Sequence, residues 1–446
     1  MNSLKEKLFL QLNKQTLRLK NAFGSCLEDH FYCTRKAFFK TELFRVNGAL
    51  FLFYFLFLTF TYADFKWTPV AKVSLLGGQI FFEGQNTSFT GNGDWLLAPG
   101  MKFSEKITLI PTISGKYRRM REVQELIGGG FLTRQTFENT LSLKGIYKFN
   151  DQWKSKLKGT FKNQFLVESA DEELGKGLYD NQKIGFGFEL ERNGTLFKSV
   201  RLSFDPYQLQ FIRYKTLSSG SQFGSEIKSG ENTLDFNAYD TTLAAEVPIM
   251  AKLTLTGSTL FSYRIYSDQK TVTSAGLYTD SLRKDIYSLS SVGASYSLPN
   301  FEYNDFELQT VAGLDLSYTL QDSDQHNYDA ARTKFNENYY DYGEYGITPK
   351  IASRLFEKLD VVLSYGYTRR SYVNRVIQSS DGTYKTNLLY TNYHTFNYSF
   401  KYPLLYGLSA NAQGVYRKAT SNMEFEKTYR YTYNTQHYYL GLSWEY

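Results

Sequence analysis

The sequence predicts an all-β chain whose antiparallel strands close into a membrane-spanning barrel. Segments of roughly fourteen to eighteen residues alternate apolar and polar side chains, which is the period of a β-strand with two different faces. Short and long connections alternate in order between these segments, as the turns and loops of a membrane barrel do. The chain has one long apolar run, at 49–60, whereas a helical transporter needs several runs of ~20 residues.

The composition agrees with this fold class. The 446 residues include 37 Tyr and 36 Phe but only 8 Pro and 2 Cys, and the mean hydropathy is −0.41. An apolar content of 42% with 17% aromatic residues is too high for a disordered chain. A length that would suggest about three soluble domains at ~150 residues each also suits one large barrel.

The formal charge of +7 is concentrated at the N-terminus. Residues 1–63 contain nine Lys and Arg against four Asp and Glu, so only +2 remains for the rest of the chain. No basic domain for nucleic acid is therefore predicted. Both cysteines, Cys26 and Cys33, also precede residue 64, which excludes a disulfide framework or a cysteine metal site beyond it, and no cofactor is predicted.

The first 63 residues have the layout of a secretory signal peptide. The apolar run at 49–60 follows Arg45 and precedes Thr-Tyr-Ala at 61–63, a small-x-small cleavage pattern. We expect cleavage to leave a mature chain that starts at Asp64 outside the cytoplasm, with an uncleaved membrane anchor as the alternative. Because the stretch before the run is long for a signal peptide, we also expect translation to start later, near Leu43.

The clearest hairpin lies at 137–167. On both of its strands the odd positions are mainly apolar and the even positions mainly polar, and the turn between them lies at 150–152. Residues whose numbers sum to 302 are therefore predicted to face each other across the hairpin. The same alternation returns at 251–266 and at 306–321.

The connections predict the topology. Short connections are predicted at 150–152, 193–195, 249–250, 299–304, 356–357 and 403–406. Longer polar stretches are predicted at 119–130, 169–180, 215–231, 267–284, 322–338, 377–385 and 421–429. The count is about fourteen strands, an even number that leaves both ends on the short-turn side.

Three parts of the chain are therefore predicted. Residues 1–63 are the signal peptide with its extension, and residues 106–446 are the transmembrane barrel. The segment at 64–105 is open between an extra strand, half of a hairpin and an inward plug, so sixteen strands is the alternative count.

The last strand carries the sharpest motif. Alternate positions are apolar and the chain ends on an aromatic residue, in the set Tyr438, Leu440, Leu442, Trp444 and Tyr446. With the signal peptide and the hairpins, this pattern resembles the porin-like class of bacterial outer-membrane β-barrel proteins. The resemblance implies the outer membrane of a Gram-negative bacterium, with lipid and the barrel assembly machinery as partners, the machinery binding this strand by strand addition. A soluble propeller or sandwich is the alternative, but the strands of such folds typically have ~5–6 residues.

The predicted inner face carries a basic set. The predicted pore-lining residues are Lys144, Lys148, Lys154, Lys156, Lys158, Lys162, Lys252 and Arg264. Like charges that face each other are destabilising, so we expect Glu189 and Glu191 on the next strand to act as counter-charges, with attraction of anions as an additional role. Tyrosines are predicted to form an interfacial aromatic girdle or to line the pore: Tyr339, Tyr340, Tyr431, Tyr433, Tyr438 and Tyr439.

This lumen predicts a channel for small polar solutes with a mild anion preference. The alternatives are a translocation or assembly barrel for polysaccharide or surface lipoproteins, and a plugged structural or adhesive barrel. No enzyme is predicted, since His326, His394 and His437 form no recognisable Ser/His/acid arrangement. The loop at 322–342 has oxygen ligands of the kind Ca²⁺ prefers but lacks the glycine and distal glutamate of a calcium loop, so no metal is predicted.

Overall fold

The computed structural model describes residues 66–86, 89–124, 130–167, 173–214, 231–303, 306–330, 332–426 and 430–446. The predicted signal peptide and both cysteines lie outside these ranges. None of the described segments forms a helix of the length and apolarity that a membrane crossing requires.

The regular structure of the described residues consists of β-strands. In chain order they are β1 (Lys66–Thr68), β2 (Ala71–Phe82), β3 (Gln85–Asn86), β4 (Thr90–Leu97), β5 (Gly100–Lys102), β6 (Ile107–Gln124), β7 (Gly130–Lys148), β8 (Trp153–Val167), β9 (Asn181–Arg192), β10 (Ser199–Phe211), β11 (Phe236–Met250), β12 (Leu253–Val272), β13 (Tyr278–Ser297), β14 (Phe301–Tyr303), β15 (Phe306–Ser323), β16 (Asn327–Asp329), β17 (Lys334–Asn336), β18 (Tyr342–Leu355), β19 (Leu359–Gln378), β20 (Tyr384–Pro403), β21 (Leu408–Ser421) and β22 (Tyr433–Glu445).

Sixteen of these strands form a closed antiparallel wall. The short strands β1, β3, β5 and β14 belong to the same sheet, whereas β16 and β17 pair with each other in a separate two-stranded sheet. The last wall strand, β22, pairs with the first, β2, from Lys72 opposite Glu445 to Phe82 opposite Thr435. Backbone hydrogen bonds in both directions also join Ala71 to Tyr446, with N to O distances of 3.0 and 2.9 Å. Among the described strands, the wall therefore has no free edge.

The wall has sixteen strands, the alternative count, rather than fourteen: residues 106–446 supply fourteen of them, and β2 and β4 form an additional hairpin. They pair from Ala71 opposite Leu97 to Gly78 opposite Thr90, and β4 continues the sheet to β6. The segment at 64–105 thus supplies a hairpin rather than a plug, and the barrel begins at Ala71 instead of 106. The strand β4, with the sequence TGNGDWLL, is short and rich in glycine, so its alternation is too weak to recognise.

Two of the predicted long loops are largely strand. In the stretch at 267–284, β12 continues to Val272 and β13 begins at Tyr278. In the stretch at 119–130, β6 continues to Gln124. Strand ends that project into water have polar residues on both faces, so they show no period of two. Short and long connections otherwise alternate, and both ends of the wall lie at the short-turn end.

The wall has an apolar outer face. Outward side chains such as Leu157, Phe186, Leu243 and Leu440 have 50, 55, 53 and 70% of their surface exposed. So much exposed apolar surface is stable only where lipid replaces water. The alternate positions of the same strands face inward and are mostly polar, which gives the barrel a hydrophilic lumen.

Candidate functional site: the lumen wall

The lysines of the inner face lie in the predicted register. The pairing of β7 with β8 places Lys144 opposite Lys158 and Lys148 opposite Lys154. The pairing of β8 with β9 then places Lys154 opposite Glu191 and Lys156 opposite Glu189. Alternation along β7, β8 and β9 brings these side chains to one face.

Glu191 is the centre of an ion-pair cluster. Its two carboxylate oxygens lie 2.7 Å from Lys154 Nζ and 2.7 Å from Lys156 Nζ. Lys156 also forms an ion pair with Glu189. The Glu191 side chain is only 9% exposed, so its charge needs these partners. The two acids thus stand beside the lysines for which they were predicted as counter-charges.

Two further lysines of the set have partners. Lys162 Nζ lies 2.6 Å from a carboxylate oxygen of Glu138 on β7. Lys148 Nζ lies 2.7 Å from Asp151 in the following turn, and this hydrogen bond holds the pKa of the Asp151 carboxyl below its usual value.

Lys144 and Lys158 differ from these lysines. Among the described residues, neither has a carboxylate within 4.0 Å, although they face each other directly. Their charges are therefore among those of the basic set that ion pairs leave available to solutes.

The other two predicted pore residues have different positions. Lys252 lies in the turn between β11 and β12, not on the inner face of a strand, because β11 extends to Met250 and leaves two residues for the turn. Arg264 lies on β12, with its guanidinium carbon 5.2 Å from the ring centre of Tyr287 and 5.7 Å from that of Phe236. Arg264 therefore faces the lumen, whereas Lys252 does not lie on the inner face.

Lys183 is an inward cation that the sequence reasoning missed. It lies on β9 opposite Lys162, and its Nζ is 3.4 Å from the ring centre of Tyr207. The signal was present, because Lys183 has the same parity as Glu189 and Glu191. Asp205 and Asp240 face each other on the next two strands and add negative charge to this part of the wall.

Arginines and tyrosines cluster at the long-loop end. Arg283 donates two 2.8 Å hydrogen bonds to Asp285 and lies 4.8 Å from the ring centre of Tyr340. Arg375 lies 4.3 Å from the ring centre of Tyr339 and donates a 2.6 Å hydrogen bond to the Tyr431 hydroxyl. Arg283 escaped notice since the stretch at 267–284 was assigned to a loop, and Arg375 lies on β19 two residues before the loop predicted at 377–385.

In the acidic loop between β15 and β18, the carboxylates accept hydrogen bonds from different backbone amides. Asp324 accepts a 2.7 Å hydrogen bond from the amide of Lys284, and Asp341 accepts one of 2.8 Å from the amide of Ser323. Burial raises the pKa of Asp341 to about 6. Within the described ranges, no three His, Cys, Asp or Glu side chains come together as metal ligands.

The terminal strand β22 presents its apolar side chains outward. Tyr438, Leu440, Leu442, Trp444 and Tyr446 are 41, 70, 49, 38 and 69% exposed. The Trp444 and Tyr446 rings stack with centroids 6.0 Å apart, and Trp444 Nε1 donates a 3.2 Å hydrogen bond to a turn carbonyl. On the other face of the strand, Tyr433 and Tyr439 are buried.

We predict that replacing both Trp444 and Tyr446 with Ser leaves the chain unassembled. The change removes the stacked aromatic pair at the end of the strand that closes the barrel, and with it the predicted assembly signal. Comparison of unboiled and boiled samples on a gel measures the folded fraction. The inward variant Ser443→Ala is the control and should migrate as wild type, and normal heat-modifiable migration of the double variant would contradict the prediction.

The geometry of the wall identifies its environment. A closed β-barrel satisfies its backbone hydrogen bonds internally, which the interior of a bilayer requires, and its apolar outer face suits lipid. The chain is therefore a transmembrane β-barrel of the outer-membrane type.

Comparisons with known proteins find similarity to solved structures alone. No protein-family profile and no curated protein match the sequence. Among solved structures, OmpT, an outer membrane protein of Vibrio cholerae in its trimer form, is 10% identical, with 86% of this chain and 99% of that chain covered and a TM-score of 0.42. OccD3 (OpdP) of Pseudomonas aeruginosa is 6% identical, with coverages of 86 and 92% and a TM-score of 0.41. OpdQ of the same species is 9% identical, with coverages of 86 and 98% and a TM-score of 0.40.

Proposed function

We propose that the barrel is an outer-membrane channel for small polar solutes with a mild preference for anions. The polar inner face of a closed sixteen-strand wall is the observation that supports this function. Barrels of 16–18 strands are wide enough to enclose an aqueous channel, whereas eight strands fill their interior with side chains. Lipid around the outer face and an assembly machinery that recognises β22 are the partners that such a channel needs.

The distribution of charge along the inner face supports a mild preference for anions. Glu189 and Glu191 neutralise part of the basic set through ion pairs, while Lys144 and Lys158 have no ion-pair partner among the described residues. Asp205 and Asp240 oppose the positive potential farther along the wall. A solute on this side of the lumen therefore meets a modest positive field.

Planar-bilayer recording tests the channel directly. Purified barrel inserted into a lipid bilayer should give stepwise conductance in KCl. Protein that is folded by heat-modifiable migration and yet gives no conductance steps would contradict the channel and favour a plugged structural barrel.

Ion selectivity tests the role of Lys144 and Lys158. We predict an anion-side reversal potential for the wild type in a tenfold KCl gradient and a shift toward zero for the Lys144→Gln/Lys158→Gln variant. The difference should shrink as the screening length decreases from ~30 Å at 0.01 M to ~3 Å at 1 M salt. The control is Arg369→Gln/Lys418→Gln, which removes two charges from the outer face and should leave the potential unchanged. A wild-type value at zero or on the cation side rejects the anion preference.

A further inference from the structure

Three basic residues lie on the outer face of adjacent strands. Arg369 is on β19, His394 on β20 and Lys418 on β21, and we call them the outer basic patch. The sheet pairs Tyr367 with His394 and His394 with Lys418, while Arg369 is one outward position farther along β19. The patch thus spans three strands and two neighbouring rows of outward side chains.

The outer basic patch lies at one boundary of the apolar band. Arg369 is ten residues from Leu359 at the start of β19, and Lys418 is ten residues from Leu408 at the start of β21. Ten residues rise ~33 Å along a strand, or ~25 Å along the membrane normal at a tilt of ~40°. An apolar band of about this height is typical of outer-membrane barrels, so the patch lies where the headgroups at the long-loop end begin.

The outward side chains of β19 change in character along the strand, in an order that fits this height. Its outward positions are Val361 and Leu363, then Tyr365 and Tyr367, and then Arg369. Aliphatic residues suit the hydrocarbon interior, tyrosines the interface and a cation the headgroups. The order of residues therefore matches the height calculated from the strand geometry.

The patch has no ion-pair partner among the described residues. Across the part of the chain that the structure describes, neither Arg369 nor Lys418 forms an ion pair. The acids of β18, β19 and β22 are all inward, where Glu344 binds Arg370, Asp360 binds Arg354, and Glu445 lies 3.7 Å from Lys72. Cations at a membrane surface without such partners attract anionic lipid.

Aromatic neighbours hold two of the three residues. The Arg369 guanidinium carbon lies 4.2 Å from the ring centre of Tyr390. His394 Nδ1 lies 2.7 Å from the Tyr365 hydroxyl, so its Nε2 is the ring atom left for a ligand. These contacts limit the conformations of Arg369 and His394 before any lipid arrives, which lowers the entropic cost of binding.

We propose that the outer basic patch binds the phosphate of an anionic lipid headgroup in the outer leaflet. Adjacent strands are ~4.8 Å apart and one row is ~6.6 Å high, which places the three Cα atoms within about 12 Å of each other. The long side chains of Arg369 and Lys418 can reach one headgroup from this spacing, with His394 between them. The proposal needs the barrel to lie in the membrane but does not need it to conduct.

Lipid titration followed by native mass spectrometry tests the proposal. The probes are lipid A, a phosphorylated glycolipid, and the same lipid after phosphatase treatment. Wild-type barrel should retain the phosphorylated form preferentially. Arg369→Gln/Lys418→Gln should bind it about 30-fold more weakly, the loss expected for two cations beside an anionic lipid surface. Lys144→Gln/Lys158→Gln removes the same charge from the lumen and should bind lipid A as the wild type does.

Three results would overturn the proposal. The first is equal retention of the two lipids by the wild type, and the second is equal affinity of the wild type and Arg369→Gln/Lys418→Gln for lipid A. The third is a changed oligomeric state of that variant with unchanged lipid binding, which would identify the patch as a contact between copies of the chain. If the double variant does not fold, Lys418→Gln alone serves, because this side chain is exposed. Conductance of the same samples separates failure of this proposal from failure of the channel.

Discussion

Replacing Glu189 and Glu191 together with Gln should both destabilise the barrel and strengthen its anion selectivity. The change leaves Lys154 and Lys156 without the carboxylates that now lie beside them. Breaking a fully buried ion pair costs about 3–5 kcal/mol, and lumen water reduces this because the Lys154 side chain is 32% exposed. The temperature at which the folded gel band disappears measures the first effect, and the reversal potential in a KCl gradient measures the second.

The control for this experiment is Glu246→Gln. Glu246 also forms an ion pair at 2.7 Å, but its partner Lys198 is 67% exposed, so the pair contributes little to stability. The control should keep the transition temperature of the wild type within a few degrees. An unchanged reversal potential in Glu189→Gln/Glu191→Gln would mean that the two lysines do not contribute to the field in the pore.

Adding two methyl groups at the seam where the barrel closes should prevent closure. A Cβ on Gly78 of β2 would overlap the carbonyl oxygen of Tyr438, and one on Gly441 of β22 would overlap the carbonyl oxygen of Leu75. The obstructing atoms belong to the backbone ladder itself, so they cannot move without loss of the pairing between β2 and β22. We therefore expect Gly78→Ala/Gly441→Ala to yield almost no heat-modifiable barrel.

The matched control is Gly159→Ala. Gly159 is an outward glycine of β8 with no atom within 4 Å of the position that a Cβ would take. This variant should fold and conduct as the wild type does. A folded, heat-modifiable Gly78→Ala/Gly441→Ala barrel would contradict this prediction, because it would show that the seam can accommodate the two methyl groups.

The sequence alone determined the nature of the strands and much of their register. A period of two is a local property, so the hairpin of β7 and β8 and its pairing of Lys144 with Lys158 were predicted correctly. The positions of Glu189 and Glu191 beside the lysines followed from the same parity. The connections also predicted an even number of strands and placed both ends of the barrel on the short-turn side. The count itself failed at β4, where glycines and a short length remove the alternation.

Only the tertiary structure decided which charges are neutralised and how the barrel closes. Lys144 and Lys156 look alike in sequence, yet Lys156 reaches two carboxylates and Lys144 reaches none within ion-pair distance among the described residues. The pairing of β2 with β22 joins the two ends of the wall, and no local pattern specifies a contact at such a separation. The outer basic patch likewise exists only because three strands place Arg369, His394 and Lys418 side by side. Alternation fixes the face on which a side chain lies, but its partners depend on strands that only closure of the sheet brings together.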